Sequence, residues 1–525
     1  MQSPQASTKN THLPYILLII FIALHAALTL TLSLTLRNEF KTSGLDGMAF
    51  AQAFYNVIHG DGFAITIHGF HQPWLGIHFS PILYALVPLY AAFPYVETLL
   101  LVHSIFIALA AWPIFLAAHY LLQSRKQALL TALVYLANPY VIHAAIWDFH
   151  EIAFAPLIIA FMMWAIVCKK PIHLVVFSLL LLTVKEHYGL AVFGSGVLWA
   201  WRWHDIRFGA LLSAFGLAAM AFIVLYVMPH YSANNTLYWS DASQAGEMNR
   251  YSWIHDAFKN TDITIYIAKN ALIYGAYLLA LFWFLPLAAP LWLLPGLADM
   301  AANMLSANLM MRSVYSYHSA ALQPVFAVAS IVCLVKFSEK KIAFARKITL
   351  KPADILVTML VTACIMSYVL LAVKNLWGFE APHPQMQSQD RSALDAIEHI
   401  IPENAMLAAQ SNVLPHLKIG RQFSVFPYGT KNTQYIVLRV DYPYQTPIDY
   451  FNTLYGLQPE IYFEAVKAVF QDREWHVIFY DNKWVVFGKT EIENADARLK
   501  ALQTLTTTQA RYEGMLPQFI LEHTP

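Results

Sequence analysis

Charged residues are scarce in this sequence. Asp, Glu, Lys and Arg make up 12% of the 525 residues, about half the share in an ordinary soluble chain, whereas hydrophobic residues make up 58%. The net charge is only +1, so the chain lacks the basic surface that binding to nucleic acid requires. This composition excludes an ordinary soluble protein. It indicates a membrane protein whose surroundings are the lipid bilayer, with no nucleic-acid partner.

Cysteines and nucleotide-binding motifs are equally scarce. The three cysteines, Cys168, Cys333 and Cys364, lie far apart and lack the spacing of metal ligands, so we interpret them as small apolar residues. The sequence contains no GxxxxGK[ST] motif and no GxGxxG motif after a predicted strand, which disfavours nucleotide-driven transport and a soluble nucleotide donor. Any sugar or phosphate donor is therefore expected to be a membrane lipid.

Long apolar runs are abundant instead. A run of roughly 18 to 25 residues crosses a hydrocarbon layer about 30 Å thick, and we predict about eleven such transmembrane helices. The first run is too long for the core of a signal peptide, so we expect it to be retained. The predicted spans are residues 14–36, 96–122, 128–146, 152–168, 172–184, 188–201, 208–228, 265–285, 291–305, 319–336 and 353–373.

Lysine and arginine predict the orientation of these spans, because cytoplasmic loops near helix ends carry the excess of positive charge. With a cytoplasmic N-terminus, the inside loops hold about thirteen cationic residues and the outside loops about six. An odd number of spans then places the C-terminal region outside. We expect a polytopic domain (1–376) with a large first extracytoplasmic loop (37–95), a linker (377–386) and an extracytoplasmic α/β domain (387–525).

Both extracytoplasmic parts show local patterns. In the first loop, residues 45–58 have apolar residues at helical spacing, which predicts an amphipathic helix along the membrane interface. Residues 81–95 are apolar but broken by three prolines, so we expect an interfacial or re-entrant segment. The C-terminal region is predicted to contain helices at 392–400 and 459–470, an apolar segment at 405–410, a strand at 435–440 and a hairpin at 475–487.

Ionisable and polar residues of the types that bind ligands or take part in catalysis gather on the predicted outer side. Ionisable groups at membrane depth are costly unless they pair or face a wet cavity, so their clustering predicts one hydrated pocket. Structural interpretations stay open: Asp46 also fits a helix N-cap, and Lys185 with Glu186 can form a simple polar patch. Asn412, His416 and Arg421 are interpreted as a surface loop. The candidate residues are Asp46, His78, Asp148, His150, Lys185, Glu186, His187, Arg312, Tyr317 and His318.

Four motifs carry a resemblance to known proteins. GLDGMAFAQAFYN, HFSPIL, WDFHEIAFAPL and LTVKEHYGL resemble a bacterial family of multi-pass membrane proteins of unknown function, over roughly Arg37 to Pro324. The layout also resembles the GT-C glycosyltransferases, which use polyprenyl-phosphate sugars and carry an essential acid in the first outer loop. This resemblance implies a bacterial inner-membrane location, with Asp46 as general base and cationic residues on the lipid phosphate. One acid stands where GT-C enzymes often show an acidic pair.

Three functional hypotheses follow. The leading one is an α-helical, GT-C-like membrane glycosyltransferase that uses a polyprenyl-phosphate-linked sugar donor on the extracytoplasmic side, with the cofactor unknown and a divalent metal left open. A second is a proton-coupled transporter or lipid flippase in which Asp148, Glu186 and the histidines relay protons. A third is a non-catalytic envelope protein.

The predicted pocket requires that its candidate residues all face the same side of the membrane. We predict that reporter fusions at Asp46 and at Lys185 both report the extracytoplasmic compartment, because their charges are expected to share one hydrated pocket. The measurement is the activity of paired periplasmic and cytoplasmic reporters at each position. Opposite compartments for the two residues would contradict a common pocket.

Overall fold

Helices dominate the chain. A computed structural model describes residues 12–42, 44–67, 69, 71–232, 261–306, 311, 316–339, 351–369, 386–418, 420, 422–427, 429–441, 459–490 and 493–523. The helices before residue 370 are Leu13–Asn38, Ala49–His59, Trp74–Ile77, Val87–Ala92, Val96–Leu109, Ala111–Leu122, Arg125–Leu136, Pro139–Ile146, Phe154–Val167, Pro171–Leu182, Gly189–Trp203, Ile206–Phe222, Met228–Tyr231, Thr261–Ala280, Leu294–Leu305, Leu322–Glu339 and Pro352–Tyr368.

Helical structure covers most of each predicted span, which confirms a helical membrane protein. Among the described residues, four helices are long and apolar enough to cross a membrane. A fifth span arises if Arg125–Leu136 and Pro139–Ile146, which meet at a 53° bend, are counted together. Other apolar helices, such as Pro171–Leu182, have only 10 to 17 residues. The total of eleven spans therefore stays a prediction.

Small residues bring two helices of the bundle into close contact. A Cβ added to Gly196 would lie 2.5 Å from the carbonyl oxygen of Gly209 and 2.4 Å from Oγ of Ser213. About two turns earlier in the first of these helices, a Cβ on Gly189 would lie 2.5 Å from the carbonyl oxygen of Gly216. Helices 189–203 and 206–222 thus pack backbone to backbone, as small residues permit between membrane helices.

The first loop is packed into the protein rather than laid along its surface. A wide turn at Gly44–Met48 leads into helix Ala49–His59. Residues 49–54 of that helix are all buried, and the ring of Phe50 packs on Trp74 and Phe149 at centroid distances of 4.5 and 5.0 Å. The prediction of an interfacial helix is therefore wrong, because aromatic side chains of the loop itself and of the bundle corner that carries Phe149 cover its apolar face.

The C-terminal region carries a five-stranded mixed sheet. Its strands are β3 (Leu407–Ala409), β4 (Phe423–Val425), β5 (Tyr435–Arg439), β6 (His476–Asp481) and β7 (Trp484–Gly488), after the short pair β1 (Ala64–Ile65) and β2 (Gln72–Pro73) in the first loop. The order is β4-β3-β5-β7-β6, in which β3 runs parallel to β4 and β5, and β7 runs antiparallel to β5 and β6. Helices Ser388–Ile400, Pro459–Gln471 and Ala495–His523 accompany it.

The edge of this sheet is covered by the first loop. The amide of Val425 in β4 donates to the carbonyl of Ile67 at 3.1 Å, and the amide of Phe423 donates to Oγ1 of Thr66 at 3.0 Å. Thr66 Oγ1 in turn donates to the carbonyl of Phe423 at 2.9 Å. Pairing with the first loop satisfies backbone groups that an open edge strand would leave exposed.

A buried ionic cluster holds the sheet to its first helix. The Asp390 carboxylate, fully buried, accepts from Nε1 of Trp484 at 2.9 Å and pairs with Nζ of Lys483 at 2.9 Å. Burial raises the pKa of this carboxyl, but the hydrogen bonds to its oxygens outweigh burial, so its pKa lies below the ordinary value. The cluster therefore favours the ionised aspartate.

We predict that Asp390→Asn lowers the free energy of unfolding by about 3–5 kcal/mol at neutral pH, because Lys483 stays buried without its counter-charge. Since the folded-state pKa of Asp390 is depressed, its stabilisation is fully present above the unfolded pKa of about 3.9 and is lost as pH falls through the folded value. Thermal unfolding of wild type and variant across this range measures the gap, with exposed Asp395→Asn as control. A gap that stays constant at acid pH would contradict the account.

Candidate active site

The turn that carries Asp46 lies against a corner of the helical bundle. Helical structure already begins at Gly44, so Asp46 lies in the first turn rather than at an N-cap. Its Oδ2 accepts a hydrogen bond of 3.1 Å from Nε1 of Trp147, which is 101 positions away in the chain. Asp46 is partly exposed. The indole fixes the orientation of a carboxylate that solvent or a ligand still reaches.

A second carboxylate lies beside this turn. A Cβ built on Gly47 would lie 3.5 Å from Oδ1 of Asp148, so the Asp148 carboxylate packs on the residue that follows Asp46. Asp148 is partly exposed as well. Glu39, the other acid near Asp46 in the chain, pairs with Lys41 at 2.7 Å. Two separate loops thus bring a second partly exposed acid, Asp148, next to the turn that carries Asp46.

Glu151 is the buried centre of the site. Its side chain is fully buried, and its two oxygens lie 2.8 Å from Nζ of Lys185 and 3.0 Å from Nδ1 of His150. Lys185 is 9% exposed. A buried carboxylate needs a partner of opposite charge, and Lys185 supplies it from a different helix corner. Glu151 also lies at the start of a helical segment, where the helix dipole favours a negative charge.

Glu186 connects the first loop to the corner that carries Lys185. Its Oε1 lies 3.1 Å from Nδ1 of His78, and its Oε2 accepts the amide of Phe79 at 3.0 Å. The next residue, His187, places Nε2 3.2 Å from Oδ1 of Asp299. The polar corner Lys185 to His187 therefore reaches three separate segments of the chain.

Aromatic rings connect the acidic and basic parts of the site. Tyr317 stacks on His150 and on His318, with centroids 4.2 Å apart in each case. The ring of Trp147 meets Tyr317 edge-on at 5.6 Å. Tyr317 and His318 are partly exposed, whereas His150 is buried. The stack therefore runs from Glu151 and its partners toward the accessible surface.

Short helical turns explain why these side chains converge. His150 and Lys185 are both extended residues that precede single 3-10 turns, Glu151–Ala153 and Glu186–Tyr188. At each corner the chain leaves one helix, reverses and enters the next, so consecutive polar side chains gather at one end of the bundle. Apart from Arg312, which lies outside the described residues, all the predicted candidates are joined by contacts or by adjacency in the chain.

Besides Glu151, which lies in the WDFHE motif, three further residues of this site are missing from the predicted candidates. Trp147 donates to Asp46, His103 donates from Nε2 to the carbonyl of Ala144 at 2.8 Å while its Nδ1 accepts the amide of His150, and Asp299 pairs with His187. Asp299 had a visible signal, since it is the only ionisable residue in the predicted span 291–305. His103, an ionisable residue inside the predicted span 96–122, had a signal of the same kind, whereas Trp147 had none.

The turn at 411–416 also differs from its interpretation. Ser411, Asn412 and Leu414 are almost fully buried, so the surface-loop interpretation is wrong for Asn412, and Arg421 lies outside the described residues. Burial of the His416 ring, with the nearby charges of Arg37 and Arg439, lowers the pKa of this imidazole to about 3. His416 is therefore neutral at physiological pH and acts here as a packed ring against Phe40, at a centroid distance of 4.3 Å.

Within the part of the chain that the structure describes, no group of three or more His, Cys, Asp or Glu side chains is arranged to hold a metal ion.

The fold and the clustered ionisable residues define a multi-pass membrane protein with a candidate active site at one end of its helical bundle. Residues 37–448 match the family described as predicted membrane protein (DUF2079), and the chain belongs to that family. This confirms the family of unknown function that the four motifs indicated. No curated protein matches the chain.

Solved structures share the fold. The crystal structure of ArnT from Cupriavidus metallidurans bound to undecaprenyl phosphate is similar over 90% of this chain and 98% of its own, with a TM-score of 0.52 and 12% identity. The apo state of the same protein has a TM-score of 0.50, 12% identity, and coverage of 90% and 97%. The likeness concerns the fold, and it supports the resemblance to GT-C enzymes.

We predict that Glu151→Gln destabilises the folded protein by about 3–5 kcal/mol, because the Lys185 ammonium stays buried without a counter-charge. The double variant Glu151→Leu with Lys185→Met removes both charges and is expected to recover most of that loss. Thermal unfolding in detergent micelles measures both. Equal destabilisation by the single and double variants would show that the ion pair is not what the site depends on.

Proposed function

We propose that this protein is a membrane glycosyltransferase that takes a sugar from a polyprenyl-phosphate carrier and passes it to a hydroxyl-bearing acceptor. The observation that carries the proposal is the partly exposed Asp46 carboxylate, held by Trp147 at the corner that also carries Asp148, His150 and Glu151. The fold of the chain also matches that of a protein crystallised with undecaprenyl phosphate. An acid beside bound carrier phosphate is the minimum that such a transfer requires.

Asp46 is the general base in this proposal. The acceptor hydroxyl loses its proton to Asp46 as its oxygen bonds to the anomeric carbon of the sugar. The bond between that carbon and the carrier phosphate oxygen breaks, and the electron pair leaves with the polyprenyl phosphate. The hydrogen bond from Trp147 to Oδ2 holds the Asp46 carboxylate in one orientation. This orientation matters because a general base has to lie within hydrogen-bond distance of the proton that it removes.

The basic side chains divide into two roles. Lys185 is nearly buried and paired with Glu151, so in this proposal it holds the corner together. His78 and His318 are only partly buried and present ring nitrogens nearer the surface, so they are the proposed donors to the carrier phosphate together with Arg312. The Tyr317 ring between His150 and His318 keeps the His318 imidazole in a fixed orientation.

The direct test incubates the purified chain in lipid with radiolabelled polyprenyl-phosphate sugars and follows transfer of the label or release of free sugar. We expect Asp46→Asn to lower transfer by about 10²–10⁴-fold, because it removes the base and keeps the side chain nearly unchanged in size. The exposed acid Asp395, substituted in the same way, is the matched control and should retain wild-type transfer.

Two outcomes would count against this function. Near-normal transfer by Asp46→Asn would remove Asp46 from the mechanism. Binding of the carrier without any transfer or hydrolysis by the wild-type chain, across several sugar donors, would contradict the transferase and favour the flippase or a non-catalytic envelope protein.

A further inference from the structure

A turn of the C-terminal region reaches the residues around Asp46. This segment, residues 410–416, follows strand β3 and is called the docking turn below. It is internally fixed: the amides of Val413 and Leu414 donate to the carbonyl of Gln410 at 2.9 and 3.0 Å, and Gln410 Oε1 accepts the amide of Arg439 at 2.5 Å. The docking turn is therefore a rigid extension of the sheet.

The docking turn bonds directly to the Asp46 turn. The amide of Gly44 donates to the carbonyl of Ser411 at 2.7 Å and approaches its Oγ at 3.1 Å. Gly44 is only two residues before Asp46 and is 367 positions from Ser411. This contact fixes the start of the helical turn that aims the Asp46 side chain.

The contact between Gly44 and the docking turn leaves no space for a side chain at position 44. A Cβ added to Gly44 would lie 2.7 Å from Cδ1 of Leu414, 2.9 Å from its Cβ and 3.0 Å from the carbonyl oxygen of Ser411. Separations below 3 Å between such atoms are not tolerated without movement, so any side chain at position 44 strains the contact between the Asp46 turn and the docking turn.

A second set of contacts holds the chain just before Gly44. Nη2 of Arg37 donates to the carbonyl of Pro415 at 2.8 Å, and the Arg37 guanidinium also pairs with Glu97 at the start of the next bundle helix. The ring of Phe40 packs on His416, and the Arg439 guanidinium lies 4.4 Å from the Phe40 centroid. The link from the first helix to Asp46 is thus held at both ends by the C-terminal region.

We propose that the docking turn positions Asp46 for catalysis, with Ser411 and Leu414 as positioning residues that touch no reacting atom. The inference rests on the proposed function and deepens it, because it makes the C-terminal region a part of the active site. A catalytic group displaced by about 1 Å loses on the order of 10² in rate, so the close packing at Gly44 has a measurable consequence.

The test measures transfer kinetics of the full chain in lipid. Gly44→Ala should lower kcat by about 10²-fold and leave KM for the polyprenyl-phosphate sugar nearly unchanged, because it displaces the base and not the phosphate donors. Adding Leu414→Ala removes the nearest clashing atom and should restore about tenfold of that loss. No recovery in the double variant, or a Gly44→Ala kcat close to wild type, would overturn the proposal.

Two controls separate positioning from general damage. Ser424→Ala removes another buried hydroxyl of the same sheet, one without a hydrogen-bond partner among the described residues, and should keep wild-type kinetics. Ser411→Ala, a milder change than Gly44→Ala, should lower kcat with KM unchanged even if Gly44→Ala fails to fold. A loss of kcat in Ser424→Ala as large as in Ser411→Ala would overturn the proposal.

Cysteine labelling tests positioning by the docking turn without requiring glycosyl transfer, so it separates this proposal from the proposed function. In a chain whose three native cysteines are replaced by alanine, Asp46→Cys reports the position of the turn through its rate of labelling by a maleimide. Gly44→Ala should raise that rate severalfold. If the wild-type chain transfers no sugar, the proposed function fails, and an unchanged labelling rate would independently overturn positioning by the docking turn.

Discussion

The structure depends on the cost of placing charge among apolar helices. Glu151 is fully buried, and the ammonium of Lys185, 2.8 Å away, and the ring of His150 offset the free-energy cost of burying its charge. These partners come from two different helix corners, so the demand for a counter-charge brings the corners together. The histidines, tyrosine and carboxylates that surround the pair then occupy one end of the bundle rather than scattered loops.

The first loop and the C-terminal region hold each other in place at two points. The loop covers the β4 edge through Thr66 and Ile67, and the docking turn returns to the loop at Gly44. Two segments far apart in sequence therefore stabilise each other. An active-site carboxylate on a long connection would otherwise be poorly placed, because loops are the most mobile parts of a fold. Anchoring by a packed sheet supplies the rigidity that positioned catalysis needs.

Much of the site was visible in the motifs and some was not. WDFHE and VKEHY stand out because ionisable residues interrupt apolar sequence, which is rare without a role. The proximity of Asp148 to the Asp46 turn was not visible, since it arises only when two loops meet at Gly47. Helix Ala49–His59 was recognised from its apolar spacing, but its location was misjudged, because periodicity reveals an apolar face and not what covers it.

The sequence by itself determined the membrane class, the helical spans, the C-terminal hairpin and the residue types of the site, because hydropathy and local patterning act over short distances along the chain. Tertiary structure alone decided which carboxylate faces which cation, where Trp147 directs its indole, and that Ser411 meets Gly44. Such pairings join residues tens to hundreds of positions apart, from Glu151 with Lys185 to Gly44 with Ser411, and packing in three dimensions, which no local pattern encodes, selects them.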